Sequence, residues 1–291
     1  MEAIPVSNGK VASPSIREDC LPVHNWGIHV EAAGRTCNIS ASRTRWASEK
    51  TDMEPLGNIE HRSWALPSEP WLMEQCWYDL LFAHWQVPAD VLRPLVAREL
   101  PLDTFNGQCW VSVTPFHMTN RARVRALPFT SHFRELNCRT YVNIGSKPGV
   151  FFFSLDASSR SAVWGARTFY HLPYHLAEMR AEKHGEAIAY SSRRRSAEFN
   201  ARYRPVAPVR LAARGTLEHW LTERYCLYTV YKGNVFRGDI HHLPWPLQQA
   251  EAEIEVNTIA DAAGIRLPNA RPVLSFSREL RVLIWPLRHV T

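Results

Sequence analysis

The sequence has few lysines, no closely paired cysteines, no long apolar run and none of the short motifs that mark the common nucleotide and hydrolase sites. Each shortage excludes something. Six cysteines (Cys20, Cys37, Cys76, Cys109, Cys138 and Cys226) are scattered along 291 residues without a CxxC spacing. They are too sparse for a disulfide scaffold. No stretch approaches the roughly 18 uninterrupted apolar residues of a membrane span. The densest, 71–87, is broken by Glu74, Asp79 and His84. The opening Met-Glu-Ala-Ile-Pro has neither the basic start nor the apolar middle of a secretory signal, so a cytoplasmic protein without membrane association is expected. There is no GxGxxG, no GxxxxGK followed by Ser or Thr, no HExxH and no GxSxG. Dinucleotide, P-loop, zincin and nucleophile-elbow readings lose their support, and no cofactor is called for.

What is present is apolar and basic. The chain is 45% hydrophobic and 11% aromatic, a globular composition with enough apolar matter for a sizeable core. Its net charge is +6, carried by 29 arginines and only five lysines. Arginine abundance has two sources: the base composition of a genome, and the planar fork that suits carboxylates and phosphates. A modest surplus spread along the chain is a weak nucleic-acid signature, so a nucleic-acid partner is not expected.

Up to about residue 58 the chain is rich in Ser, Asn, Arg and Gly and shows no sustained period. This segment reads as a disordered leader or as a mis-assigned start, with Met53 the more natural first residue. A single domain over 59–291 is expected. Its patterning is mostly strands: 74–84, 108–118, 135–144, 150–156, 175–183, 186–195, 197–205, 224–231, 235–242 and 273–285. Short helices are predicted near 89–96, 159–170 and 217–222. Pro88 opens the first, Asp156 and Ser158 offer cap oxygens to the second, and Pro173 stops it. Gly-Ser-Lys-Pro-Gly at 145–149 should link two strands as an antiparallel hairpin. Many short strands with few helices predict an α+β fold, a mostly antiparallel barrel or curved sheet.

On the strand Glu-Leu-Asn-Cys-Arg-Thr-Tyr-Val at 135–142, side chains alternate. Leu136, Cys138, Thr140 and Val142 make a core-like face. Glu135, Asn137, Arg139 and Tyr141 make the other, which is either a solvated outer surface or a polar lining inside a barrel. The next strand is apolar on both faces, which places the hairpin centrally. A second cluster, Tyr170-His-Leu-Pro-Tyr-His175, falls where a helix gives way to a strand. His171 and His175 are four apart, but Pro173 breaks the continuous helix that would aim both at one metal, and no metal site is expected. His241 and His242 are adjacent in a strand and point oppositely, so packing of Trp245 and the flanking prolines is their expected setting. Arg193, Arg194 and Arg195 read as the solvated face of an exposed hairpin.

Several of these runs together resemble the YqjF-like family of uncharacterised bacterial proteins: His61 through Trp71, Asp79-Leu-Leu-Phe-Ala-His-Trp85, Glu135–Val142, Lys147–Asp156, Thr222–Tyr228 and His241–Pro246. The resemblance covers about 60–289. It implies a fold similar to acetoacetate decarboxylase, a cone-shaped antiparallel barrel around a small-molecule cavity. The decarboxylase forms a Schiff base on a buried lysine. The segment here that resembles that lysine's has Tyr174 and His175 in place of its two lysines, while Glu135 resembles the decarboxylase's active-site glutamate. The resemblance therefore implies a site with a carboxylate but without the amine. Glu135, Tyr174 and His175 are the candidate catalytic groups, and Asn137, Arg139, Tyr141 and His171 the candidate ligand-binding groups. The expected partner is an unidentified small molecule, anionic or carbonyl-bearing. A non-catalytic binding or regulatory module is the alternative, and Lys147 is the remaining amine to consider. Eleven tryptophans would also suit a homodimer interface.

Overall fold

The computed structural model describes residues 55–122 and 131–290. The leader expected over 1–58 lies, up to residue 54, outside the described residues; Pro55–Gly57 forms a single 3-10 turn. In chain order the elements are β1 (Met73–Val87), α1 (Ala89–Leu92), β2 (Cys109–Ala122), β3 (Ser131–Ile144), β4 (Lys147–Ala157), α2 (Arg160–Phe169), β5 (Tyr174–Leu176), β6 (Glu178–His184), β7 (Ala187–Arg194), β8 (Ala197–Pro205), α3 (Leu217–Thr222), β9 (Cys226–Tyr231), β10 (Asn234–His242), β11 (Leu247–Asn257) and β12 (Val273–His289). None of the described helices is long and apolar enough to cross a membrane.

Seven strands close on themselves. The order β1-β2-β3-β4-β9-β10-β12 returns through a β12–β1 pairing, so these strands form a ring. All contacts around it are antiparallel except β4–β9. β11 takes three residues of β12, Leu247 to Gln249 against Ser277 to Ser275, and then carries β8, β7 and β6 away as a second sheet. The fold is thus α+β and dominated by a curved, mostly antiparallel sheet.

Two apolar layers follow from strand alternation. On β1, Leu80 and Phe82 join Phe116, Met118 and Leu155 inside the ring. Leu81 and Ala83, with Leu136 and Cys138, pack outward against Tyr190, Phe199 and Tyr203 of the second sheet. Two bulges shift this alternation. Asp79 sits at φ 48, where the β1–β2 register slips, so that Trp77 and Leu80, three apart, both reach the interior cavity. On β4, Cys138 pairs with Ser154 but Arg139 with Phe152, leaving Phe153 over. Phe152 and Leu155 both face inward in consequence, while Phe153 packs outside the ring. This resolves why β4 is apolar on both faces: its parity reverses midway.

The β3–β4 hairpin forms with a tighter turn than the predicted five-residue link. Only Gly145 and Ser146 lie outside the strands, at φ 58 and φ 61, the two left-handed residues that a tight hairpin of this twist requires. The cap of α2 also differs. Ser159 Oγ accepts from Ala162 N, whereas the Asp156 carboxylate accepts from Arg194 and Ser158 Oγ accepts from Arg134 N. The strand expected at 175–183 is two, β5 on the ring and β6 in the second sheet, and β11 was not predicted.

The ring closes tightly at β4–β9. A Cβ on Gly149 would meet Cys226 O and Sγ at 2.7 Å and Tyr228 at 2.8 Å. The nearest of these atoms is backbone, so relief requires the strands to part. Gly149→Ala should cost about 2 kcal/mol and lower the melting temperature by roughly 4–8 °C; an unchanged melt would show that this seam yields freely.

Candidate functional site

Inside the ring lies a cavity of about 540 Å³, roofed by the inner face of α2 and lined mainly by apolar side chains, with a few polar groups among them. Glu135, Asn137 and Arg139 of β3 line it together with Tyr174 of β5. The β3 face that sequence left open is therefore an inner one.

Glu135 and Tyr174 meet because β5 adds in parallel to β4 with Leu155 opposite Tyr174, while β3 pairs β4 with Glu135 opposite Ala157. Tyr174 Oη donates to Glu135 Oε2 at 2.6 Å. Burial pushes the Glu135 carboxyl up to about 7, against the bonds it accepts from Tyr174 and Asn137. Burial, and then the neighbouring carboxylate, raises the Tyr174 phenol well above its ordinary range. A carboxyl poised there can give or take a proton near neutrality. From the other side of the strand, Tyr190 Oη donates to the Glu135 carbonyl at 2.8 Å and to the Phe116 carbonyl at 3.0 Å, so the second sheet fixes the backbone that carries the acid.

Arg139 sits four residues along β3, about 13 Å away at the usual rise per strand residue. Its Nε and Nη2 are buried without a partner, and no ion pair to it forms among the described residues. Its guanidinium lies 5.4 Å from the Phe82 ring centroid. Burial lowers its proton affinity; Tyr141 opposes that effect and Arg224 adds to it. Arg224, just before β9, is 3% exposed and also lines the cavity. Its Nη1 donates to Asp103 and Nε to the Trp220 carbonyl, while Nη2 is left unpartnered. Asn137 Oδ1 and Trp245 Nε1 are likewise buried and unpartnered.

The remaining candidates sit apart from this lining. Tyr141 is on the same β3 face but lies beneath the cavity, its hydroxyl 3.1 Å from His84 Nδ1 and its ring 4.9 Å below the Arg224 guanidinium. His175 points opposite to Tyr174, beside Asp156 in register, where burial and then Arg194 and Arg167 lower its pKa. His171, at φ 51, ends the segment after α2 and stacks on Tyr231 at 3.8 Å in a separate groove. Lys147 opens β4 at the hairpin, and no lysine is among the described residues lining the cavity. Among the described residues no cluster of three metal-ligating side chains forms.

Sequence reasoning missed Arg224, and gave Trp245 and His242 only packing roles. Trp245 does pack, at 4.8 Å edge-on to Phe82, and also lines the cavity, as does His242. The signal for Arg224 was an arginine set among Leu221, Tyr225 and Cys226, apolar neighbours that imply burial.

A family model described as an uncharacterized conserved protein, DUF2071, matches residues 74–281. The uncharacterized protein YqjF of Bacillus subtilis (strain 168) is 51% identical over 235 residues, covering 79% of this chain and 97% of that one. Among solved structures, the enduracididine biosynthesis enzyme MppR complexed with pyruvate superposes with a TM-score of 0.56 at 9% identity, over 79% of this chain and 93% of that one. An acetoacetate decarboxylase-like enzyme from Sphingomonas wittichii RW1 gives 0.53 at 11% identity, over 76% and 94%. The acetoacetate decarboxylase of Legionella pneumophila gives 0.52 at 12% identity, over 80% and 96%. At these identities the likeness is one of fold: this chain is built like acetoacetate decarboxylase.

Proposed function

This chain belongs to the DUF2071 family, and from that footing we propose that its ring holds a small anionic or carbonyl-bearing molecule, gripped by Arg139 and open to proton exchange with the Glu135–Tyr174 pair. One observation carries the reading: a half-buried arginine, two of whose guanidinium nitrogens are buried without a partner, beside a second arginine. A buried charge is costly unless paired, and an anion between Arg139 and Arg224 supplies the pair. Solved structures of this fold include one with pyruvate bound, which supports the same chemistry here. No lysine is among the described lining residues, so the reading includes no Schiff base; Glu135 and Tyr174 offer acid–base work on a bound ligand. The described cysteines are free thiols, in keeping with a reducing, cytoplasmic setting.

Arg139→Met gives the test two readouts of opposite sign. The empty variant should melt higher than the parent, because an uncompensated charge has left the interior. A screen of carboxylates, keto acids and phosphorylated compounds should find one that stabilises the parent by about 2.7 kcal/mol at 100 times its dissociation constant. The variant should lose most of that gain. A hit that stabilises both proteins equally would remove Arg139 from the site, and an empty variant that melts lower would show its charge already compensated.

A non-catalytic binding module is the second reading, favoured by the same lack of a lining amine. Turnover of any hit that disappears in Glu135→Gln excludes it.

A further inference from the structure

We infer that the ligand is an elongated monocarboxylic acid with an apolar body, bound with its carboxylate at Arg139 and Arg224 and its tail running past Glu135. This deepens the proposed reading and rests on it.

The polar and apolar parts of the cavity are segregated along β3. The unpartnered donors Arg139 Nε and Nη2 and Arg224 Nη2 gather at one end, where both guanidinium groups border Tyr141. Glu135 lies about 13 Å up the strand, and Phe133 lies two residues further. β2 brings Phe116 opposite Glu135 and Met118 opposite Phe133, and β1 brings Trp77 opposite Met118. The wall therefore runs from guanidinium to carboxyl to a cage of Phe133, Met118 and Trp77. An acid of three or four carbons cannot touch both ends. A volume of about 540 Å³ falls in the range that takes drug-sized molecules, and a small acid would leave most of it unfilled.

The charge inventory sets the rest of the ligand. Glu135 is the one carboxyl, and no lysine is present, among the described lining residues. A second anionic group at the Trp77 end would meet no cation, so the acid carries its charge at one end only. The roof agrees: α2 turns Ala162 and Ala166 to the cavity, a smooth surface that an alkyl or aryl body can lie along. Phe169, at the end of the helix, also lines the cavity although it is 57% exposed, so an apolar ring stands where a tail would leave water.

The test is calorimetric titration of the full chain with decanoate, propionate and decanol. Decanoate is expected to bind at least tenfold more tightly than either of the others. Arg139→Met should weaken decanoate at least 30-fold and leave decanol unchanged. Ala166→Phe, which shortens the apolar space without touching the arginines, should weaken decanoate tenfold and leave propionate unchanged; a melting curve for each variant confirms that it folds. Propionate binding as tightly as decanoate, with Arg139→Met abolishing both, would overturn the elongated acid while leaving an anion site in place. Decanol matching decanoate would overturn the headgroup assignment. Failure of both acids to bind the folded parent would overturn the anion site itself and this inference with it.

Discussion

Glu135→Gln should raise the melting temperature at pH 8.5 and leave it unchanged at pH 4. The carboxyl is 3% exposed and is pushed up to about 7 in the folded protein, against about 4.5 for an unperturbed glutamate. The folded state therefore holds its proton over a range where the unfolded chain has released it. Stability falls as pH rises through that window, from about 4.5 to just above 7. Two and a half pH units correspond to about 3 kcal/mol, present as a deficit above pH 8 and absent below pH 4.5. Glutamine keeps an acceptor for the Tyr174 hydroxyl and cannot ionise, so the variant should lose this slope and gain roughly 6–12 °C at alkaline pH. Melts of both proteins at half-unit steps from pH 4 to 9 decide it: two parallel curves would mean that Glu135 ionises as freely folded as unfolded.

Arg194→Met should be the most destabilising single change among the charged residues. Asp156 is fully buried and Arg194 is 11% exposed, with Nε 2.9 Å from Oδ1 and 3.0 Å from Oδ2. Burial pushes the Asp156 carboxyl up to about 6 even with Arg194 holding it down. Taking the arginine away strands the carboxylate, and breaking such a pair typically costs 3–5 kcal/mol, roughly 6–20 °C for a domain of this size. Three features identify the cause. The loss should shrink as pH falls towards 6, because Asp156 takes a proton near there in the parent and at higher pH still once Arg194 no longer holds it down. Asp156→Asn should cost less, because the arginine retains access to water. The double variant should recover much of the loss. A deficit independent of pH would instead assign Arg194 a packing role. The pair matters because it joins β7 of the second sheet to β4 of the ring, from the side of β4 opposite Leu155 and the cavity.

The strand pattern and the inner face of β3 were legible because alternation is a local property. Glu135, Asn137 and Arg139 share a face whatever the rest of the chain does. Which face that was could not be read locally, since it depends on ring closure between β1 and β12, almost 200 residues apart in sequence. β11 escaped for a different reason. Its alternation is clear in Glu251, Glu253 and Glu255 against Ala252, Ile254 and Val256, but alanine and glutamate are strong helix formers, and the pairing with β8 overrides that preference. Tyr141 obeyed its alternation yet fell below the cavity, because Trp220 of α3 packs on its ring at 4.7 Å. His175 was grouped with Tyr174 by position, whereas neighbours on an extended strand face opposite ways. Arg224 belongs to the same cavity end as Arg139, and no spacing rule connects two residues 85 positions apart.

The bulges at Asp79 and Phe153 write the interior in two reading frames. On β1, residues 73, 75 and 77 reach the cavity before the bulge, and 80 and 82 after it. On β4 the inward set is 150 and 152, then 155. Substitution can vary the lining residue by residue without disturbing this arrangement. A change in length between a bulge and its neighbours cannot, because one residue more or fewer turns every later side chain on that strand inside out. On β4 it would exchange Leu155 for Asp156 and bring the partner of Arg194 into the apolar cavity. The lining of this architecture can therefore vary through composition, whereas a change in residue count along either of these two strands would invert it.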